Sequence, residues 1–144
     1  SDIIEGLKDS LIDEISSKLD LGLDVALHCS DIKKEMEKED SLNLLIDAGI
    51  AKDEFPSKIT EFLSDLVYQI NLKSKFILIV TGGEISFECA KKINSKYLEI
   101  IDSIMPAIPL CKDAQGKIIV TKSGKFGVNS TFVEIFDYFN KLKI

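Results

Sequence analysis

Ile77-Leu78-Ile79-Val80-Thr81-Gly82-Gly83-Glu84-Ile85-Ser86 is the stretch that decides how this chain is read. Aliphatic and β-branched residues run up to a Gly-Gly pair, and an amphipathic helical pattern begins directly after it. That order predicts a buried strand, a tight turn and a helix N-terminus. The amides of a first helical turn have no partner within the helix, and the helix dipole is positive there, so an anion such as phosphate is favoured. A second unit of the same kind follows. Ile118-Ile119-Val120-Thr121 leads into Lys122-Ser123-Gly124-Lys125-Phe126-Gly127, and Ser130 to Leu142 has the period of a helix. Two strand–turn–helix units, one carrying lysines, point to a site for the phosphates of a nucleotide.

Working outward, Ile4, Leu7, Leu11, Ile15 and Leu19 fall at helical spacing behind a capping Asp2, and Leu21-Gly22 ends that helix. Leu23 to Cys29 reads as a strand, and Ser30 to Glu39 as a charged, solvated helix or loop. A short helix from Ser41 to Ala48, with Leu42, Leu45 and Ile46, closes at Gly49. After Pro56, the stripe of Ile59, Phe62, Leu63, Leu66, Val67 and Ile70 predicts the strongest helix of the chain. Lys75 to Val80 suits a strand buried on both faces. The helix from Glu84 to Asn94 is expected to turn Phe87, Ala90 and Ile93 inward. Tyr97 to Ile104 reads as a strand ended by Pro106 and Pro109. Asp113-Ala114-Gln115-Gly116 is a turn before the strand Lys117 to Thr121, and the last helix is expected to bury Phe132, Ile135, Phe136, Phe139 and Leu142. The expected fold is α/β: a mainly parallel sheet with helices on both faces, a Rossmann-like three-layer sandwich formed by residues 1–144 as a single domain. Both glycine turns would then lie at the carboxyl ends of strands, the edge where such folds bind ligands.

Composition narrows the partners. A chain of 144 residues with 45% hydrophobic and 29% charged residues can build its own core without a disulfide or metal staple. A net charge of −6 argues against a broad nucleic-acid or anionic membrane surface, since both need clustered cations. No apolar run approaches the length of a membrane span. Cys29, Cys89 and Cys111 are odd in number and show no CxxC spacing, which predicts reduced thiols and a cytoplasmic setting. His28 is the only histidine, so no conventional zinc site is expected.

The residues that can carry chemistry sit in the two turns. Gly82 and Gly83 let backbone approach a phosphate, although glycines after a strand also serve simply to turn the chain sharply. The turn is neither a Walker A loop nor a GxGxxG fingerprint. Glu84 suits the helix dipole but would repel a phosphate on the same amides, so it is expected to face a hydroxyl or a hydrated Mg²⁺. In the second turn Lys122 can pair with phosphate as a point charge, Ser123 adds a hydroxyl, and Gly124 and Gly127 allow close approach; the alternative is a solvated loop. Phe126 is expected to be a core anchor rather than a stacking platform. Cys89, one turn into its helix, is expected to be an inert buried thiol rather than one activated by the dipole. His28 is expected to be structural, and the charges of Asp31 to Asp40 a solvated face.

Taken in order, the segments Ile77–Ser86, Met105-Pro106-Ala107-Ile108-Pro109-Leu110 and Thr121–Gly127 resemble the C-terminal nucleotide-binding domain of the four-carbon acid sugar kinase family. That domain carries a Gly-Gly-Glu/Asp-Thr turn, a Pro-Gly-Val-Pro-like segment and a Lys-Ser-Gly-x-Phe-Gly turn. The resemblance implies ATP with Mg²⁺ as cofactors, and Gly82, Gly83, Glu84, Ile85, Lys122, Ser123 and Gly124 as the residues around the nucleotide. It leaves catalytic residues unassigned. Two positions depart from the family: Ile85 stands in place of Thr, and Ala107 in place of the glycine between the prolines. The acid-sugar-binding N-terminal domain and the Gly-Ser strand of the family have no counterpart in the sequence. The expectation is therefore the ATP-binding, C-terminal part of a two-domain kinase for threonate- or erythronate-like acid sugars, inactive alone, with room for a homodimer. A non-catalytic nucleotide- or phosphate-binding module and a plain α/β scaffold are the competing readings.

Overall fold

The structure, a computed structural model, describes residues 2–29, 34 and 37–142, with the side chains of Asp2 and Ile3 excepted. The cap expected at Asp2 and most of the charged stretch after Cys29 thus lie outside the described residues. The chain divides into two units, Ser1–Ser74 and Lys75–Ile144.

The first unit is helical: α1 (Asp2–Asp20), α2 (Glu39–Asp47) and α3 (Phe55–Lys73), with α1 packed on α3. Ile12, Leu45, Leu66 and Ile70 are buried, alongside the small side chains of Ser16 and Ser64. Ser64 can be buried because its hydroxyl donates to the Glu61 carbonyl one turn back, at 3.0 Å. Lys73 of α3 reaches Asp13 of α1 at 3.0 Å. Two helices stop where glycines predict it: Gly22 and Gly49 adopt positive φ (75° and 67°), and the next residue donates back into the last turn. The strand expected from Leu23 to Cys29 does not form; the segment is irregular, with Leu23 53% and Leu27 46% exposed. β-propensity describes fitness for a half-buried pleated surface, and without a pairing partner it does not hold a segment in a ladder.

The second unit holds the sheet. β1 (Leu78–Thr81), α4 (Gly83–Lys92), β2 (Leu98–Met105), β3 (Ile108–Asp113), β4 (Ile118–Lys122) and α5 (Thr131–Leu142) follow in order. The four strands lie in the order β1-β4-β3-β2. Only β1 and β4 are parallel; β4–β3 and β3–β2 are antiparallel, so the sheet is mixed and not mainly parallel as expected. The reason lies in the connections. A parallel pairing needs a crossover of about a dozen residues or more, whereas Met105 and Ile108 face each other across a two-residue turn. What the sequence presents as a proline-broken loop is a hairpin. Ala107 occupies its turn at φ 64°, a left-handed backbone that glycine adopts more readily than alanine. Pro109 sits inside β3 opposite Ser103, beyond the Leu110–Lys112 span that pairs with β4, where a missing N–H interrupts no β3–β4 bond. The β3–β4 turn is tied by Asp113, whose carboxylate accepts the amides of Gln115 (2.9 Å) and Lys117 (2.8 Å). Lys117 in turn lies 3.8 Å over the Phe76 ring and donates to the Phe76 carbonyl at 3.1 Å, joining the starts of β4 and β1.

α5 covers one face of the sheet. Its Ile135 and Phe139 pack with Ile108, Leu110 and Val120 into a core in which Ile135, Ile108 and Val120 are fully buried. Strand alternation puts Leu78, Ile119 and Cys111 on the other face, and α4 runs along β1. Three expected core aromatics or aliphatics are instead exposed: Phe87 (65%), Phe132 (46%) and Leu142 (47%). On α4 the buried position is Cys89, so the inward stripe is rotated from the one that Phe87 would define.

Candidate functional site

The parallel pair β1–β4 determines the site. Its register sets Thr81 opposite Lys122, so both glycine turns leave the sheet at one edge. The Gly82 amide donates to the Lys122 carbonyl at 2.8 Å, extending the ladder by one bond into the turns. The two glycine turns thus start side by side from adjacent strand ends, the shared edge that the sequence predicts. His28 belongs to the Ser1–Ser74 unit, is exposed, and has Nδ1 3.1 Å from the Cys29 carbonyl oxygen.

α4 begins without a side-chain cap. Its first internal bonds go to the Gly82 carbonyl, from the Ser86 amide at 3.0 Å and the Ser86 hydroxyl at 2.6 Å. The amides of Gly83, Glu84 and Ile85 precede that first bond and so have no partner within the helix. Ile85 stands where the resembling family has a hydroxyl, and the Ser86 hydroxyl spends its proton on the Gly82 carbonyl, keeping only its acceptor lone pairs. The backbone donors are untouched by the exchange. The Glu84 side chain is exposed.

The glycines of the two turns divide into two classes. Gly82 and Gly127 have φ of 107° and 108°, and a Cβ on either would press on its own chain. At Gly82 it would lie 3.1 Å from Ile85 Cγ2; at Gly127, 2.7 Å from Thr131 Oγ1 and 2.9 Å from Lys122 Cε. Gly127, expected to serve close approach of a ligand, is therefore required by the loop itself. Gly83 and Gly124 are different: neither has a positive φ, and a Cβ on either would meet nothing within 4 Å. The fold has no need of a glycine at those two positions.

The Lys122 stem passes over Gly127, and its ammonium donates to the Ser123 carbonyl at 3.2 Å, which leaves other protons for an anion. The loop between β4 and α5 is fastened by Thr131, a residue the sequence reading passed over. Thr131 is 1% exposed, and its Oγ1 accepts the Val128 amide at 2.7 Å. A hydroxyl residue just ahead of an amphipathic run is the signal that marks it. Phe126, expected to be the anchor, is 56% exposed. Cys89 is buried, and burial, with Glu88 nearby, raises its thiol to about 11, as an inert thiol requires. Among the described residues no cluster of three or more His, Cys, Asp or Glu side chains could hold a metal ion. No helix among them is long and apolar enough to cross a membrane.

Residues 4–132 match the family described as nucleotide-binding C-terminal domain. The chain belongs to that family. Solved structures similar to this nucleotide-binding domain agree with it in fold. A Haemophilus influenzae protein of the DUF1537 group is 19% identical, with a TM-score of 0.63 over 89% of this chain and 31% of that one. A Bordetella bronchiseptica DUF1537 protein, described with bound citrate and as a domain-swapped dimer, is 16% identical, with a TM-score of 0.52 over 70% of this chain and 30% of that one. A Salmonella typhimurium LT2 protein, provisionally named a tRNA synthase, is 24% identical over 54% of this chain and 19% of that one, with a TM-score of 0.51. The domain thus spans about a third or less of the structures it matches. No curated protein matches the sequence.

Proposed function

We propose that this chain is the ATP-binding part of a kinase for four-carbon acid sugars of the threonate or erythronate kind. The observation that carries the reading is the pair Gly83 and Gly124, bare on one sheet edge although neither backbone nor packing calls for a glycine there. A ligand that must come close to backbone accounts for both. In this reading the free amides of Gly83, Glu84 and Ile85 receive phosphate oxygens over Gly82, and Gly124 with Ser123 forms the adjoining wall. Lys122 adds a point charge. Mg²⁺ fits as a companion of the nucleotide, because Glu84 offers one exposed carboxylate and the phosphates would complete its shell. When bound, the ion would neutralise charge on the transferred phosphoryl group.

Residues 1–144 form one C-terminal domain in this proposal, since the family match runs through both units. The acid sugar would be held by an N-terminal domain of the parent protein. Phosphoryl transfer depends on holding acceptor and phosphate in line, so the domain alone should show no turnover. A non-catalytic nucleotide module is the second reading. It is favoured by one observation: with Ile85 in place and the Ser86 proton donated to the Gly82 carbonyl, the first turn of α4 has no side-chain hydroxyl left to donate to a phosphate.

Calorimetric titration with Mg-ATP and Mg-ADP is the test. The wild-type chain should bind weakly and Gly83→Val not at all; equal binding by the two would put the ligand elsewhere. ADP release with a panel of four-carbon sugar acids, run on this chain and on its parent, separates the readings. Turnover by the parent alone supports the kinase, and binding without turnover by either supports the module.

A further inference from the structure

We infer that Phe126 is the surface on which the nucleotide's base stacks, an inference that rests on the nucleotide reading of the glycine edge. A lone exposed Phe is ordinary on a protein surface, so its 56% exposure says little alone. Its setting says more. A phenylalanine in a glycine-rich turn has a usual task, which is to anchor the loop in the core, and here that task is done by another residue. Thr131, buried, holds the far end of the loop through the Val128 amide at 2.7 Å. The near end is closed by the Phe126 amide donating to the Ser123 carbonyl at 3.1 Å. The ring is therefore fastened at its backbone on both sides and still left in solvent.

Position ties it to the phosphate edge. The Ser123–Phe126 turn starts next to Lys122, whose carbonyl receives the Gly82 amide, and it contains the bare Gly124. One short loop thus offers a flat apolar ring, two lysines (Lys122 and Lys125) and an open glycine beside uncapped helix amides. A nucleotide has the complementary parts, an anionic end and a flat base. Stacking on an aromatic ring tolerates any base, so the site would take nucleotides before it distinguishes among them. Phe87 is the competing ring, at 65% exposure one turn along α4 from Gly83. It shares its helix face with Glu84, three residues before it, and is followed by Glu88, so it lacks the lysines that flank Phe126, which could hold the anionic end of a nucleotide next to the ring.

The chain contains no tryptophan, so Phe126→Trp creates a single tryptophan reporter at the position in question, excited selectively over the tyrosines at long wavelength. Mg-ADP should quench and shift its emission, and Mg-pyrophosphate, which has no base, should bind without quenching. In calorimetry, Phe126→Ala should weaken Mg-ADP binding about tenfold or more, on the scale of one base–ring stack, while Phe126→Tyr keeps it. Affinity for pyrophosphate should change less than about twofold on this argument, because the ring does not touch the phosphates. If both ligands bind and Phe126→Ala leaves their affinity ratio at the wild-type value, or if Phe87→Ala carries the loss, the inference is overturned. Binding of pyrophosphate without any gain from the base overturns it as well. Failure of the wild-type chain to bind either ligand overturns the nucleotide reading itself.

Discussion

Replacing Gly83 by alanine should make this protein more stable and a worse binder at the same time. The two effects come from different sides of the same methyl group. Gly83 opens α4, has no positive φ, and a Cβ there meets nothing within 4 Å. Alanine fits that conformation and reduces the freedom of the unfolded chain, which stabilises by about 0.4–1 kcal/mol. For a chain of this length that is roughly 1–4 °C in Tm. The methyl also stands where a phosphate oxygen must approach the free amides, and loss of one charge-assisted hydrogen bond costs about 1.5–3 kcal/mol, or some 10- to 150-fold in affinity. Gly127→Ala is the matched control. Its Cβ would sit 2.7 Å from Thr131 Oγ1 at φ 108°, so the strained backbone and the broken Val128–Thr131 bond together should cost about 2–3 kcal/mol. Differential scanning calorimetry and Mg-ADP titration on both variants give the four numbers. A Gly83→Ala protein that binds Mg-ADP as tightly as wild type, or that melts lower, would refute the claim that this glycine is kept for a ligand.

Ala107→Gly should raise stability by roughly 0.5–1 kcal/mol, because it relieves the left-handed φ of 64° in the β2–β3 turn at some cost in unfolded-chain entropy; a lower Tm would show that the turn is not strained. Lys122→Ala should weaken Mg-ADP binding by about 1–3 kcal/mol with little change in Tm, since its ammonium donates to the neighbouring Ser123 carbonyl at an exposed site. A large loss of Tm with affinity retained would assign the lysine to loop structure instead. Thiol titration near neutral pH should find Cys29, which is exposed, reacting ahead of the buried Cys89 and Cys111. Cys89 is neutral in folded and unfolded chains below pH 9; above it the unfolded thiol ionises first, so stability should fall between pH 9 and about 11. Cys89→Ala should remove that part of the slope, and an equally steep slope in the variant would place the titrating group elsewhere.

Local pattern carried much of this protein. The run Leu78 to Thr81, the glycines after it and the lysine turn after Ile118–Thr121 were readable because strand burial, turn chemistry and helix period are properties of a few adjacent residues. That the two turns share an edge also followed, since both end strands that run the same way. Tertiary pairing decided the rest. Whether Pro106-Ala107 is a loop or a hairpin depends on β3 finding β2 and β4 on either side, and Leu23 to Cys29, with comparable local propensity, found no strand to pair with. The face of α4 that turns inward was set by its packing along β1, which took Cys89 and left Phe87 out. Sequence likewise could not separate Gly82 and Gly127, which the chain needs for its own backbone, from Gly83 and Gly124, which it does not. All four look alike as letters, and they differ only in φ and in which atoms stand where a Cβ would be.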